Sequence, residues 1–122
     1  MPVARILSVV LDCAEPERLA AFWRALAGGE IDERTRSADW VALRDVPTIG
    51  HLGFQQVPEH KEVKNRVHVD LDTDDIERST RAAVELGAES VGGVIDEGTN
   101  LLHVMRDPEG NEFCLIQRSV SP

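Results

Sequence analysis

Residues 106–117 read Arg106-Asp107-Pro108-Glu109-Gly110-Asn111-Glu112-Phe113-Cys114-Leu115-Ile116-Gln117. Asp107-Pro108-Glu109-Gly110 has the chemistry of a tight turn. Asp suits the first position, Pro pre-sets φ at the second, and Gly fits the fourth. Apolar runs lead in (Leu101 to Met105) and out (Phe113 to Ile116), so the stretch reads as two strands joined by a rigid turn.

The same pattern occurs earlier in the chain. Ile6-Leu7-Ser8-Val9-Val10-Leu11-Asp12 aligns with Arg66-Val67-His68-Val69-Asp70-Leu71-Asp72. Glu17-Arg18 then falls on Glu77-Arg78, and Leu26-Ala27-Gly28 on Leu86-Gly87-Ala88. Trp40 to Asp45 aligns with Leu102 to Asp107, and Leu52-Gly53-Phe54 with Phe113-Cys114-Leu115. A repeat this long with a drifting offset is a duplicated supersecondary unit and not a solenoid. Each half reads strand, helix, then three strands.

That order, closing on Asp107-Pro108-Glu109-Gly110-Asn111-Glu112-Phe113, resembles the vicinal oxygen chelate superfamily. This is the group of glyoxalase I, bleomycin-resistance proteins, fosfomycin-resistance enzymes and extradiol dioxygenases. Asn65 to Leu71 and the Glu112-Phe113-Cys114 ending are most similar to its glyoxalase-like branch. The resemblance implies an α+β fold: two tandem βαβββ modules forming a curled, cup-shaped mixed sheet with helices outside. Residues 1–122 then form a single glyoxalase-like domain, with module one at about 1–58 and module two at about 65–118. Pro58 to Lys64, polar and of mixed charge, reads as the linker.

Composition excludes several function classes. The chain has 122 residues, enough for one domain with one core. Its 22 acidic and 13 basic side chains give a formal charge of −9, which argues against nucleic acid and anionic membrane as partners. It has no tyrosine, so a base-stacking platform is not expected either. No apolar run approaches a membrane span, and no signal-peptide core precedes Asp12. Two cysteines, Cys13 and Cys114, make no disulfide framework, and a reducing cytoplasm is the simplest home.

Local signals place the elements. Ile6 to Leu11 is the first strand. Asp12 or Ala14 opens a helix with Pro16 in its first turn, buried through Leu19, Phe22, Trp23 and Leu26, and ended by Gly28-Gly29. Strands follow around Glu30 to Arg34, Asp39 to Arg44 and Ile49 to Val57. In the second module Arg66 to Asp72 alternates, with Val67, Val69 and Leu71 turned to the helix. Asp74 caps a helix over Ile76 to Leu86, and Gly87 closes it. Strands run near Glu89 to Ile95, Asn100 to Arg106 and Glu112 to Gln117. Asp96 to Thr99 is a flexible hairpin tip or lid segment, and 119–122 a tail.

In the family the face of each sheet away from its helix lines a shared cavity. Alternation assigns Ser8, His51, Gly53, Gln55, His68, Asp70, Glu112 and Cys114 to that face. The resemblance puts the four usual metal ligands, His, Glu, His and Glu, at Ser8, Gly53, His68 and Cys114. Only His68 keeps its type. Cys114 suits a soft metal as thiolate, but one His and one Cys are half a zinc site. Glyoxalase I activity is therefore not carried over, and no cofactor is expected. A divalent ion in a rearranged site of His51, His68 and Glu112 is the alternative.

The candidate ligand-binding residues are Ser8, His51, Gln55, His68, Asp70, Glu112 and Cys114, with His68 as the candidate catalytic group. His68 reads either as a cavity acid/base or as a hydrogen-bonded structural histidine. Cys114 reads as a buried core cysteine before a nucleophile, because no adjacent base lowers its pKa. His51 and His103 read as surface or rim histidines, and Trp23 and Trp40 as core. Two function classes follow. One is a metal-free small-molecule binder, either sequestering or acting as a lyase or isomerase through His68. The other is a metal-dependent lyase, isomerase or dioxygenase with a rearranged site. The resemblance also implies a homodimer.

Overall fold

The computed structural model describes residues 2–119; residues 120–122 of the expected tail lie outside them. Two compact units divide the chain, one running to His60 and the other starting at Lys61. Each has the expected order of strand, helix and three strands.

The first unit contains β1 (Val9–Cys13), α1 (Pro16–Ala27), β2 (Glu30–Ile31), β3 (Trp40–Val46) and β4 (Gly50–Gln56). Its sheet has the order β1-β4-β3-β2, with β1 parallel to β4 and the other pairs antiparallel. The second unit contains β5 (Val69–Asp72), α2 (Ile76–Leu86), β6 (Glu89–Asp96), β7 (Asn100–Arg106) and β8 (Glu112–Arg118). Its order, β5-β8-β7-β6, repeats the first. The fold is α+β and built of two tandem βαβββ modules.

Helix positions follow from chemistry visible in the sequence. α1 begins with Pro16 at N1, where its missing N–H costs nothing, and buries Leu19, Ala20, Phe22 and Trp23 against β3 and β4. Val41, Leu43, Leu52 and Phe54 complete that core. α2 is capped by Asp75, which accepts from the Arg78 N–H at 3.1 Å, and not by Asp74. Thr73 and Ser79 hydroxyls meet beside it and set the register of the cap. Gly87 ends α2 at φ 117°, as its left-handed role requires. Ile76, Ala83, Met105, Phe113 and Leu115 form the second core.

The turn between β7 and β8 is held by Asp107. Its Oδ1 accepts from the Glu109 and Asn111 N–H groups, both at 2.9 Å, and Gly110 lies at φ 86°. The corresponding turn in the first unit places Asp45 at φ 56° and Thr48 at φ 72°.

Several boundaries differ from expectation. The first strand starts at Val9 and not Ile6, and the first helix at Pro16 and not Asp12 or Ala14. β5 starts at Val69, three residues after Arg66. Ile6, Leu7 and Val67 are apolar yet exposed. Continuing the β1–β4 register backwards pairs Leu7 with Gly50, where β4 begins at the β3–β4 turn with φ 80°. Val67 would likewise meet Asn111 in the Asp107 turn. β2 stops at Ile31 because Asp32 folds back onto the Arg34 N–H and guanidinium. Among the described residues, no helix is long and apolar enough to cross a membrane.

Candidate functional site

The face of the second sheet turned from α2 carries the densest chemistry. Parallel pairing sets Asp70 on β5 opposite Cys114 on β8, and alternation brings His68 onto the same face. His68 Nε2 lies 3.2 Å from Asp70 Oδ1. One donor atom each from His68, Asp70 and Cys114 falls within 4.8 Å of the others. His68 and Asp70 are exposed and Cys114 is buried. Burial pushes the Cys114 thiol up, the Asp70 carboxylate adds to this, and Lys64 opposes it. A thiol held protonated in this way is a poor nucleophile.

Beside this trio the same face opens into a concavity of about 460 Å³. Asp72, Glu97, Asn100, Leu102 and Arg118 line it with His68 and Asp70. Arg118 donates twice to Asp72, both bonds at 2.9 Å, and this fork holds the Asp72 carboxyl below its usual range.

Glu112 is buried and already engaged. Lys61 Nζ donates to its Oε1 at 2.7 Å, and the Asn65 N–H to its Oε2 at 3.1 Å. Asn65 Nδ2 also donates to the Glu112 carbonyl. Burial alone would raise the Glu112 carboxyl. Lys61, the Asn65 N–H and its own backbone N–H outweigh burial and hold it below the usual value. Glu112 therefore fastens the 61–65 segment to β8.

The equivalent face of the first unit is chemically quiet. Ser8 Oγ and His51 Nδ1 bond each other at 2.6 Å, and Gln55 is exposed on β4. Gly53 is covered by Trp40. A Cβ placed on Gly53 would collide with Trp40 Cη2 and lie 2.9 Å from Cζ2. The family's usual ion does not fit these positions. Gly53 has neither donor nor room for one, and Ser8 is a weak ligand already bonded to His51. The alternative donors are committed too, His51 to Ser8 and Glu112 to Lys61 and Asn65.

His103 is a correction. Expected at the surface or rim, it is buried on the α2 side, with Nδ1 2.9 Å from Thr80 Oγ1 and no partner for Nε2 among the described residues. Its parity with Leu101 and Met105 carries that placement. Trp23 is core as expected, packed edge-on against Phe22, whereas Trp40 is half-buried across the open face. Lys61 and Asn65 were not singled out in the sequence, because a linker lysine gives no signal of its partner.

The profile of the glyoxalase-like domain family matches residues 8–116. No curated protein sequence matches the chain. Among solved structures, a glyoxalase/bleomycin resistance protein/dioxygenase family enzyme from Burkholderia phytofirmans PsJN is 18% identical, with a TM-score of 0.76 over 91% of this chain and 96% of that one. The fosfomycin resistance protein FosX from Mesorhizobium loti is 11% identical, with a TM-score of 0.72 over 98% and 96%. FosX from Listeria monocytogenes is 12% identical, with a TM-score of 0.75 over 98% and 97%. At these identities the likeness is one of fold.

Proposed function

The chain belongs to the glyoxalase-like domain family, and on that footing we propose that it binds a small organic molecule against the open face of its second unit. The observation that carries this reading is the concavity bordered by His68, Asp70 and Asp72. Its lining is mostly polar and charged, with Leu102 and Ile116 as the apolar part, which suits a polar ligand. In this reading the 122 residues act as one cytoplasmic domain, assembled as a homodimer, without the family's usual four-ligand ion.

His68 is the group with chemistry to offer. Asp70 Oδ1, 3.2 Å from Nε2, is placed to orient the imidazole. Such a pair supports proton removal or return in a lyase or isomerase. With no turnover, the same pair orients a polar ligand in a sequestering protein. A metal-dependent lyase, isomerase or dioxygenase is the second reading, favoured by the convergence of His68, Asp70 and Cys114.

The test is a thermal-shift screen of small polar organic compounds with chelator present. Fosfomycin and bleomycin come first because the structural neighbours are described by resistance to them. Titration calorimetry then follows on wild type, His68→Ala and Asp70→Asn. His68→Ala should weaken the ligand by about 1–3 kcal/mol. Its melt should stay within about 0.5 kcal/mol of wild type, because the side chain is exposed. Equal affinity in the variant, or unfolding, removes His68 from the site. Product analysis by mass spectrometry separates turnover from sequestration.

A further inference from the structure

We propose that His68, Asp70 and Cys114 form a three-ligand site for a single thiophilic divalent ion of the zinc class, built wholly within the second unit. The set departs from the family's. It draws nothing from the Ser8 and Gly53 positions, it replaces a carboxylate with a thiolate, and it adds Asp70.

The geometry comes from strand pairing. Asp70 and Cys114 are directly paired across β5 and β8, and His68 is two residues before Asp70 on the same face. The donor atoms are all within 4.8 Å of one another. Zinc bonds of about 2.0–2.3 Å make the edges of a tetrahedron roughly 3.3–3.8 Å long. The His68–Asp70 edge, at 3.2 Å, is already near that length. Closing the others takes rotations of His68 and Asp70, both of which are exposed. Cys114 is anchored in the sheet and supplies the fixed corner.

The chemistry selects the ion. One imidazole nitrogen, one carboxylate oxygen and one sulfur suit zinc, cadmium or cobalt(II) over magnesium or calcium, which prefer all-oxygen shells. Three protein donors leave a fourth position for water or a ligand oxygen, as catalytic zinc sites do. Glu97 on the adjoining concavity adds negative potential that favours a dication, whereas the Asp72 charge is offset by Arg118. Binding exchanges the thiol proton for the metal–sulfur bond, and that proton passes to buffer.

The inference concerns the same wall as the proposed function, so the experiments are kept apart. The ion is titrated with no organic ligand, whereas the ligand screen contains chelator. Full-length protein without a His tag is reduced, stripped and titrated with cobalt(II), and the near-ultraviolet thiolate-to-metal band is followed. One equivalent should bind with that band, and zinc should displace it. Cys114→Ser should abolish the band and Cys13→Ser should keep it. Asp70→Asn and His68→Ala should weaken binding by at least about tenfold, the scale on which even outer-shell partners act. Circular dichroism checks the fold of each variant. Should Cys114→Ser unfold, zinc protection of wild-type Cys114 from alkylation, read by mass spectrometry, decides instead. Lack of binding, binding without a thiolate band, a band that follows Cys13, or unprotected Cys114 would each overturn the proposal. An affinity lost with His51→Ala or Glu112→Gln and indifferent to Cys114→Ser would overturn it too.

Discussion

The two units share a chain plan and a strand order, yet their open faces have parted. At Val10 and Gly53 the first unit has no functional group, and an indole lies over the glycine. At the matching Asp70 and Cys114 the second unit has a carboxylate and a thiol, with a histidine beside them. Helix-facing positions stayed largely apolar in both, with His103 against Thr80 as the polar exception, because each unit needs its own core. The duplicated backbone is a constraint of folding, and the face away from the helix is where duplicates are free to diverge.

The largest test of that equivalence is in the cores. Phe54 and Phe113 are both fully buried. Phe54→Ala and Phe113→Ala should each cost about 3–5 kcal/mol. If the chain melts as one domain, both variants lower a single transition in calorimetry. Two transitions, each sensitive to one variant, would make the units independent.

The turns give the next contrast. Gly110 sits in a left-handed conformation at no steric cost, whereas Thr48 does so as a β-branched residue. Gly110→Val should destabilise by about 1–3 kcal/mol, and Thr48→Gly should stabilise by about 1 kcal/mol. Denaturant midpoints check both, and equal signs would break the comparison.

Acid sensitivity in the second unit should centre on Glu112. Glu112, buried and clamped, has its folded carboxyl pKa held below the ordinary 4.5. Its stabilisation is therefore present above that value and is lost as pH falls through the folded pKa. Glu112→Gln should cost about 1–2 kcal/mol at neutral pH and flatten the acid limb of the stability profile. In the first unit Arg36 lowers Glu17 through a hydrogen-bonded pair, but that pair is more exposed and screened. Glu17→Gln should leave the limb nearly unchanged in urea melts across pH 3 to pH 7.

The smallest effect concerns Gly53. Gly53→Ala forces the Trp40 ring aside. The ring is half-buried and can swing, so the cost should be about 1 kcal/mol. Tryptophan emission should shift red as the indole gains water. Unchanged emission would show that Trp40 does not rest on Gly53.

Much of the fold was legible because it rests on local chemistry. α2 announced itself by helical spacing and Gly87, and β7 by an apolar run ending at the Asp107 turn. The first strands were drawn too long because apolarity marks what a chain prefers to bury, whereas Ile6, Leu7 and Val67 have no partner strand to bury against. The shared face of the candidate residues was legible in parity: His68, Asp70 and Cys114 fell on one side by counting. Their convergence needed the β5–β8 register, and the engagement of Glu112 needed the path of residues 61–65. Neither is encoded in local spacing.

The parallel pairing of first and last strands also governs how each unit comes into being. Val9 has no sheet partner until Leu52 exists, and Val69 none until Phe113 does. On a ribosome, β1 and its apolar side chains wait through most of a unit's synthesis before the ladder can close. Closing so long a loop is an entropic cost that precedes its reward. Each half should fold late and all at once, and its nascent first strand is the segment most in need of a chaperone.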